Sequence, residues 1–436
     1  MKVYAKVFVP LPIIMEKLLH YTWKHRLYPL GTLATTDDKT VEVIDPGLHN
    51  TKDAGPDFFN AKIRVNGTEW VGNVELHLKA SDWFRHGHDR DSAYDNVILH
   101  VVTEADMEVR TSSGRVLPQM VLTIPERLRT DYEHLLHQDK YPPCYERIPD
   151  IPKVKTHMFM SALQTERLER KTREIVKRMK DSRGSWEDAY FQTLARNFGF
   201  GINSEAFETW AMTIDLNKAA HHRDDLFQIE ALFIGQAGLT DRVDEKYSRE
   251  YAYLQKKFGL HPMKPTIWKY LRTRPQNFPH VRVMELARMY HEQRTGLSQM
   301  LDCKDVKAIG KLLGVKGSKL DLIVINTVIP IMFAYGRENG KEALCERAFD
   351  LFEEIKPEDN NIVRMWQECG LQVRNAGDSQ ALIQLKKEYC DKKECLRCRI
   401  GREVLTAPFL SCGHPLPSSF GTAISSTFPV KGQGSR

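Results

Sequence analysis

The motif Gly55-Pro56-Asp57 leads into one strand-like run, Ala61–Val65, and Val74-Glu75-Leu76-His77 lies inside the next, Trp70–Leu78. Asn66-Gly67 between the two runs predicts a tight hairpin, which would bring Asp57 and Glu75 together at one edge of a sheet. The two-residue period of a strand then points Glu75, His77 and Lys79 to one face. Two carboxylates and a nitrogen base in one place suit phosphodiester hydrolysis. Acidic oxygens fix Mg2+ or Mn2+, the ion polarises the phosphate, and a water loses its proton and attacks. Asp57 and Glu75 are therefore the expected ligands, with His77 or Lys79 assisting the water. The bland alternative is a solvated surface, where Asp and Glu commonly flank strands.

The segment Ser81–Tyr94 that follows is polar and rich in His and Asp. His86 and His88 within it have a spacing that suits Zn2+, and they read equally as ligands of a second ion, nucleic-acid contacts or exposed surface. His100 sits inside an apolar run and reads as a satisfied core histidine.

The elements that must position these residues follow from periodicity. Ile14 to Leu27 carries Leu18, Leu19, Trp23 and Leu27 at helical spacing, which predicts an amphipathic helix. Four strand-like runs come next, at Val41–Ile44, Ala61–Val65, Trp70–Leu78 and Val97–Val102, with further strands expected near Met107–Arg110 and Val116–Leu122. The order is helix, three strands, short helix, strand. From about residue 155 apolar residues recur every three or four positions, so an all-helical domain is expected. Helix starts are marked by Ser185 with Asp188, and helix ends by Gly199 and Gly238. The longest apolar stretch, Leu322–Tyr335, is interrupted by Asn326, Thr327 and Pro330; it reads as a buried helix too short to cross a bilayer. The resulting organisation is an α/β domain over 1–140, a proline-bearing linker over 141–154, a helical domain over 155–405 and a disordered tail over 406–436.

The order of elements, the Pro-Asp pair and the Glu-x-basic motif resemble the PD-(D/E)XK phosphodiesterase superfamily. The resemblance implies a restriction-endonuclease-like αβββαβ core with Asp57 and Glu75 as the motif carboxylates. In that superfamily the first helix often carries a further acidic residue, which Glu16 matches. His77 stands where the superfamily usually has lysine, and Lys79, one pleat further on, is the candidate to replace it. From about Leu18 to Leu405 the chain also resembles an uncharacterised bacterial family, common in Bacteroidetes and known as a domain of unknown function. That resemblance rests on Gly55-Pro56-Asp57-Phe58, Gly72-Asn73-Val74-Glu75-Leu76-His77, Asp82-Trp83 with His86 and His88, Leu99-His100-Val101-Val102, Gly235-Gln236-Ala237-Gly238 and Asn277-Phe278-Pro279. It implies no activity.

Cys390, Cys395 and Cys398 form a C-x4-C-x2-C cluster that favours a metal site, with Cys369, Cys345, Cys303 or Cys144 as the fourth ligand. Structural Zn2+ suits it. Some nucleases of the superfamily are similar in carrying a cysteine-bound iron–sulfur cluster, with a different spacing. Arg272, Arg274 and Arg282 flank Asn277-Phe278-Pro279 and are the expected phosphate-backbone contacts. The helix around Thr165–Arg183 has eight Lys or Arg against four acidic residues, and reads as a solvated face.

Composition agrees with a multidomain globular chain: 436 residues, 42% apolar and 28% charged. The net charge of +6 is uneven, with 18 Lys+Arg against 22 Asp+Glu in residues 1–150, leaving 45 against 35 in the remainder. An acidic, cation-seeking first part beside a basic second part fits a metal-dependent enzyme of DNA or RNA. The first residues, with Pro10 and Pro12 breaking the apolar run, read as no signal peptide, so a cytoplasmic location away from any membrane is expected, with the eight cysteines reduced. Two rivals stand beside the nuclease expectation. One is a catalytically inactive nucleic-acid-binding or scaffold protein on the same fold. The other is a Zn2+ hydrolase using His77, His86 and His88 on a different substrate.

Overall fold

A computed structural model describes residues 11–28, 33–51, 54–138 and 140–406. The expected tail lies outside the described residues except for Thr406, which closes the last helix, Arg399–Thr406.

A mixed sheet fills the first part and helices follow it, so the chain is α/β and then all-α. Helix α1 (Leu11–His25) buries Leu18, Leu19 and Trp23 completely. The strands are β1 (Val41–Asp45), β2 (Leu48–His49), β3 (Phe58–Val65), β4 (Thr68–Lys79), β5 (Val97–Glu104) and β6 (Gln119–Val121). Their order is β1-β3-β4-β5-β6, with β2 also beside β3. Pairing is antiparallel from β1 to β4 and parallel from β4 through β5 to β6. The β3–β4 hairpin turns at Asn66 and Gly67, whose positive φ values of 49° and 86° are those a two-residue turn demands.

The parallel step from β4 to β5 needs a crossover. It runs through α2 (Asp82–Arg85) and two short 3-10 turns, His88–Arg90 and Ser92–Tyr94. The strand expected at Met107–Arg110 is reduced to one bridge, Arg110 to Val116. The Trp83 indole takes the Arg110 carbonyl at 2.9 Å, a group a strand would have used for its ladder.

The two faces of the sheet are covered differently. One joins α1, helix α3 (Glu126–His137) and residues 363–405 in a shared core that includes Phe58, Val74, Leu76, Leu99, Trp366 and Leu382. The other carries a small cluster of Ala80, Trp83, Tyr94, Val97, Val102, Val109 and Leu117. The segment expected to link the domains, 141–154, is itself packed: Ile148 is buried in the shared core, and helix α4 (Lys153–Asp181) begins within it.

The helical part has its own core, built around Trp210, Phe233, Tyr290 and Phe352. Helix α5 (Trp186–Phe198) starts where Ser185 Oγ accepts the Asp188 N–H at 3.1 Å. Residues Ser318–Glu338 form one continuous helical run, long and apolar enough to cross a membrane, yet 72% of its apolar window is buried inside the protein. Pro330 lacks the N–H that would bond the Asn326 carbonyl. Asn197 Nδ2 donates to that oxygen at 2.9 Å instead, beside a π-turn over Val324–Val328.

Candidate metal centre

The hairpin register sets Phe58 opposite Val74, which places Asp57 beside Glu75. Their link is reciprocal through the backbone. The Asp57 N–H donates to Glu75 Oε2 at 3.0 Å, and the Leu76 N–H donates to Asp57 Oδ2 at 3.0 Å. Asp57 also meets α1, since His20 Nε2 lies 3.2 Å from its Oδ2.

Glu75 and His77 share one face of β4, and the parallel register puts His100 of β5 directly beside Glu75. His77 Nδ1 and His100 Nε2 are hydrogen-bonded at 2.8 Å, and His77 Nε2 and His86 Nδ1 at 3.0 Å. His88 reaches in from the crossover, held between the Tyr94 ring, stacked at 3.8 Å, and the edge of Trp83 at 5.3 Å. Its Nε2 stands 3.3 Å from Glu75 Oε1, while His77 Nε2 stands 3.6 Å from the same oxygen. His88 Nε2 is buried and makes no hydrogen bond. Among the described residues, His77, His86 and His88 are the group whose ligand atoms all lie within 4.8 Å of one another. His77 and His88 are buried and His86 is exposed, so the group opens to solvent on the His86 side.

Burial sets the charges. It pushes the Glu75 carboxyl up to about 9, and the charge of Asp57 adds to the effect. It pushes His77 down to about 2, helped by His100, His86 and His88, and lowers His100 to about 3 and His88 in the same direction. These imidazoles are neutral at pH 7, as a metal ligand must be. His20 goes the other way: burial opposes its charge, yet the Asp57 carboxylate 3.2 Å away outweighs that and raises its pKa.

The nitrogens of His77, His86 and His88 are close enough to share one divalent ion, and Glu75 Oε1 stands beside two of them, His88 and His77. Ligand atoms about 2.0–2.1 Å from a tetrahedral ion lie about 3.3 Å apart, and the separations of 3.0, 3.3 and 3.6 Å bracket that value. The orphaned His88 Nε2 is a donor atom such an ion would satisfy. His100 partners the other nitrogen of His77. Gln119 Nε2 donates to His100 Nδ1 at 3.4 Å, so neutral His100 carries its proton on Nε2 and donates it to His77 Nδ1; an ion on His77 Nε2 would reverse this chain, with His77 Nδ1–H donating to His100 and Gln119 turning its amide oxygen to His100 Nδ1.

Other residues expected at the site stand elsewhere. Lys79 shares the parity of Glu75, but its side chain is 53% exposed and pairs with Glu104 of β5 at 2.9 Å, away from the imidazoles. Glu16 lies one turn of α1 before His20 and acts on Glu75 and His20 through its charge. His20, His100 and Gln119 are additions that the motif does not contain. Cys390, Cys395 and Cys398 lie in the shared core far along the chain, outside the close-set imidazole group. In the helical part, Arg272 and Arg274 line a concavity of about 270 Å³ together with Phe198, Phe200, Asn203 and Asn277. Arg282 is committed within the protein: it pairs with Glu285 at 2.6 Å, bonds Asn277 and lies over the Phe200 ring at 5.0 Å.

Fold and site together define a mixed α/β domain that carries a buried carboxylate–histidine cluster and leads into a helical part. The profile of a protein family of unknown function, DUF2851, matches residues 16–320 and 315–361, and the chain belongs to that family. No curated protein matches it, and no solved structure does.

Proposed function

We propose that the chain is a divalent-metal-dependent phosphodiesterase, a nuclease acting on DNA or RNA, on a PD-(D/E)XK-like αβββαβ core. The convergence of His77, His86 and His88, with Glu75 Oε1 3.3 Å from His88 and 3.6 Å from His77, carries this reading. Three features support it: a helix followed by three antiparallel strands and a parallel fourth, an aspartate at the mouth of one hairpin strand, and a glutamate two residues before a basic residue on the next.

Glu75, His77 and His88 hold the ion in this account, and His86 completes the set from the solvent side. Imidazole donors favour Mn2+ or Zn2+ over Mg2+. The ion would polarise a phosphate oxygen and acidify a bound water. Asp57 clamps the Glu75 carboxylate through its own N–H and holds His20 beside it, a pair positioned to take up or return a proton. Arg272 and Arg274, exposed beside Phe200, supply contacts for a phosphate backbone.

The test is cleavage of single- and double-stranded DNA and RNA with Mn2+, Zn2+ or Mg2+. Glu75→Gln and His88→Ala abolish metal-dependent cleavage if the reading is right; unchanged cleavage in both removes it. One observation favours a non-catalytic nucleic-acid-binding protein instead: Lys79, the candidate motif lysine, turns to Glu104 and away from the cluster. Binding that depends on Arg272 and Arg274, without cleavage under any metal, is the outcome specific to that reading.

A further inference from the structure

A second cluster of ligating side chains lies outside the imidazole site. The chain around 386–401 is bound to the chain around 141–148 and to the end of α3, with Tyr141 Oη donating to Asp391 Oδ1 at 3.0 Å and Lys393 Nζ to the Leu136 carbonyl of α3 at 2.6 Å. Cys144 comes from the first stretch and Cys390, Cys395 and Cys398 from the second. All four pack into one core, and all are free thiols. Cys144 lies within electrostatic reach of Cys395, Cys398 and Cys369, whereas the thiols that act most strongly on Cys390 are Cys398, Cys144 and Cys395 and do not include Cys369.

The turn after Cys395 is built around sulfur. The Cys398 N–H donates to the Cys395 carbonyl at 3.2 Å, and the N–H groups of Ile400 and Gly401 face the Cys398 sulfur. A Cβ at Gly401 would stand 2.1 Å from the Cys395 carbonyl oxygen, so only glycine lets the backbone close under that sulfur. Two N–H donors aimed at one sulfur bond weakly to a thiol and strongly to a thiolate. Burial disfavours four adjacent thiolates unless a cation is among them.

We propose that Cys144, Cys390, Cys395 and Cys398 hold a metal centre ligated by sulfur alone, which staples the segment after the sheet domain to the last helices of the chain. The sulfurs are not drawn as close as the imidazoles are. A single tetrahedral ion with bonds of about 2.3 Å would pull them together, whereas an iron–sulfur core spans a wider gap. Both are the same four-thiolate chemistry. The centre is independent of the hydrolase reading.

X-ray absorption on the full chain, purified without oxygen or chelator, tests it. The expected result is a shell of four sulfurs at about 2.3 Å around zinc or iron. Visible absorbance with acid-labile sulfide identifies the iron–sulfur form, and a colourless zinc protein the single ion. Cys144→Ser lowers the sulfur-bound metal about tenfold or more, while Cys369→Ser, His77→Ala and His88→Ala leave it intact. A missing sulfur shell, a shell of three or fewer sulfurs in the natural protein, or full occupancy in Cys144→Ser overturns the proposal. If Cys144→Ser does not fold, the sulfur count of the natural protein decides.

Discussion

Glu75 Oε1 and His88 Nε2 meet at 3.3 Å, one from the second hairpin strand and the other from the crossover that leaves it. Neither atom is well served by this meeting alone. Burial holds Glu75 as a neutral acid, and His88 Nε2 makes no hydrogen bond. A cation between them would let the carboxyl ionise and give the imidazole lone pair a partner, which is why the cluster reads as a binding site rather than a packed core.

His100 touches the ion in no part of this account, yet it is the partner to which His77 Nδ1–H would donate once an ion takes Nε2. His100→Phe keeps the ring volume and removes the hydrogen bond. Affinity for Mn2+ or Zn2+, measured by calorimetry, is expected to fall about 10–100-fold. Cleavage at saturating metal should recover much more than it does in Glu75→Gln.

The pH dependence of the metal-free protein has two opposed limbs. Glu75 titrates at about 9 in the folded chain against 4.5 ordinarily, so its contribution is whole below 4.5 and is lost as pH rises towards about 9. His77 titrates at about 2 against 6.5, so its contribution is present above 6.5 and is lost as pH falls from there towards 2. Relative to Glu75→Gln, the metal-free natural protein should lose stability on the order of 1 kcal/mol per pH unit within the Glu75 window. Thermal melts of the two proteins across that window check it, and a constant difference would contradict the assignment.

Trp83 is fully buried and backs the His88 ring, with its indole N–H on the Arg110 carbonyl. Trp83→Ala should cost about 3–5 kcal/mol in denaturant unfolding. Trp83→Phe, which keeps most of the packing and loses the hydrogen bond, should lose much less and retain metal.

Arg272 and Arg274 are exposed at a concavity with an aromatic floor, whereas Arg282 is already paired. Replacing each of the first two by Ala should weaken nucleic-acid binding about equally across sequences and reduce the salt slope by about one apiece. Arg282→Ala should act through stability instead. Binding titrations at several salt concentrations separate these outcomes.

Much of the sheet is legible in the sequence because its signals are local. Alternation marks β3 and β4, a continuous apolar run marks β5, Asn66-Gly67 marks the turn, and the hairpin register follows from them, so Asp57 and Glu75 can be paired without coordinates. The remainder of the site depends on long-range contacts. His20 is one polar residue on an amphipathic helix until α1 crosses the sheet and brings it to Asp57; its place one turn after Glu16 is the only local hint. His100 reads as a core residue, and it is wholly buried, but its bond to His77 requires the parallel pairing of β4 and β5. Lys79 has the right parity and lies too close to the strand end, where Glu104 captures it. Cys144 joins the C-terminal cysteines only through tertiary packing, so spacing alone left several candidates for the fourth ligand.

The most direct measurement is anomalous diffraction from crystals of the protein soaked in Mn2+ or Zn2+. The account predicts one strong peak within about 2.0–2.2 Å of Glu75 Oε1, His77 Nε2 and His88 Nε2, absent in Glu75→Gln crystals. No peak among these side chains, or an equal peak in the Glu75→Gln crystals, would contradict it.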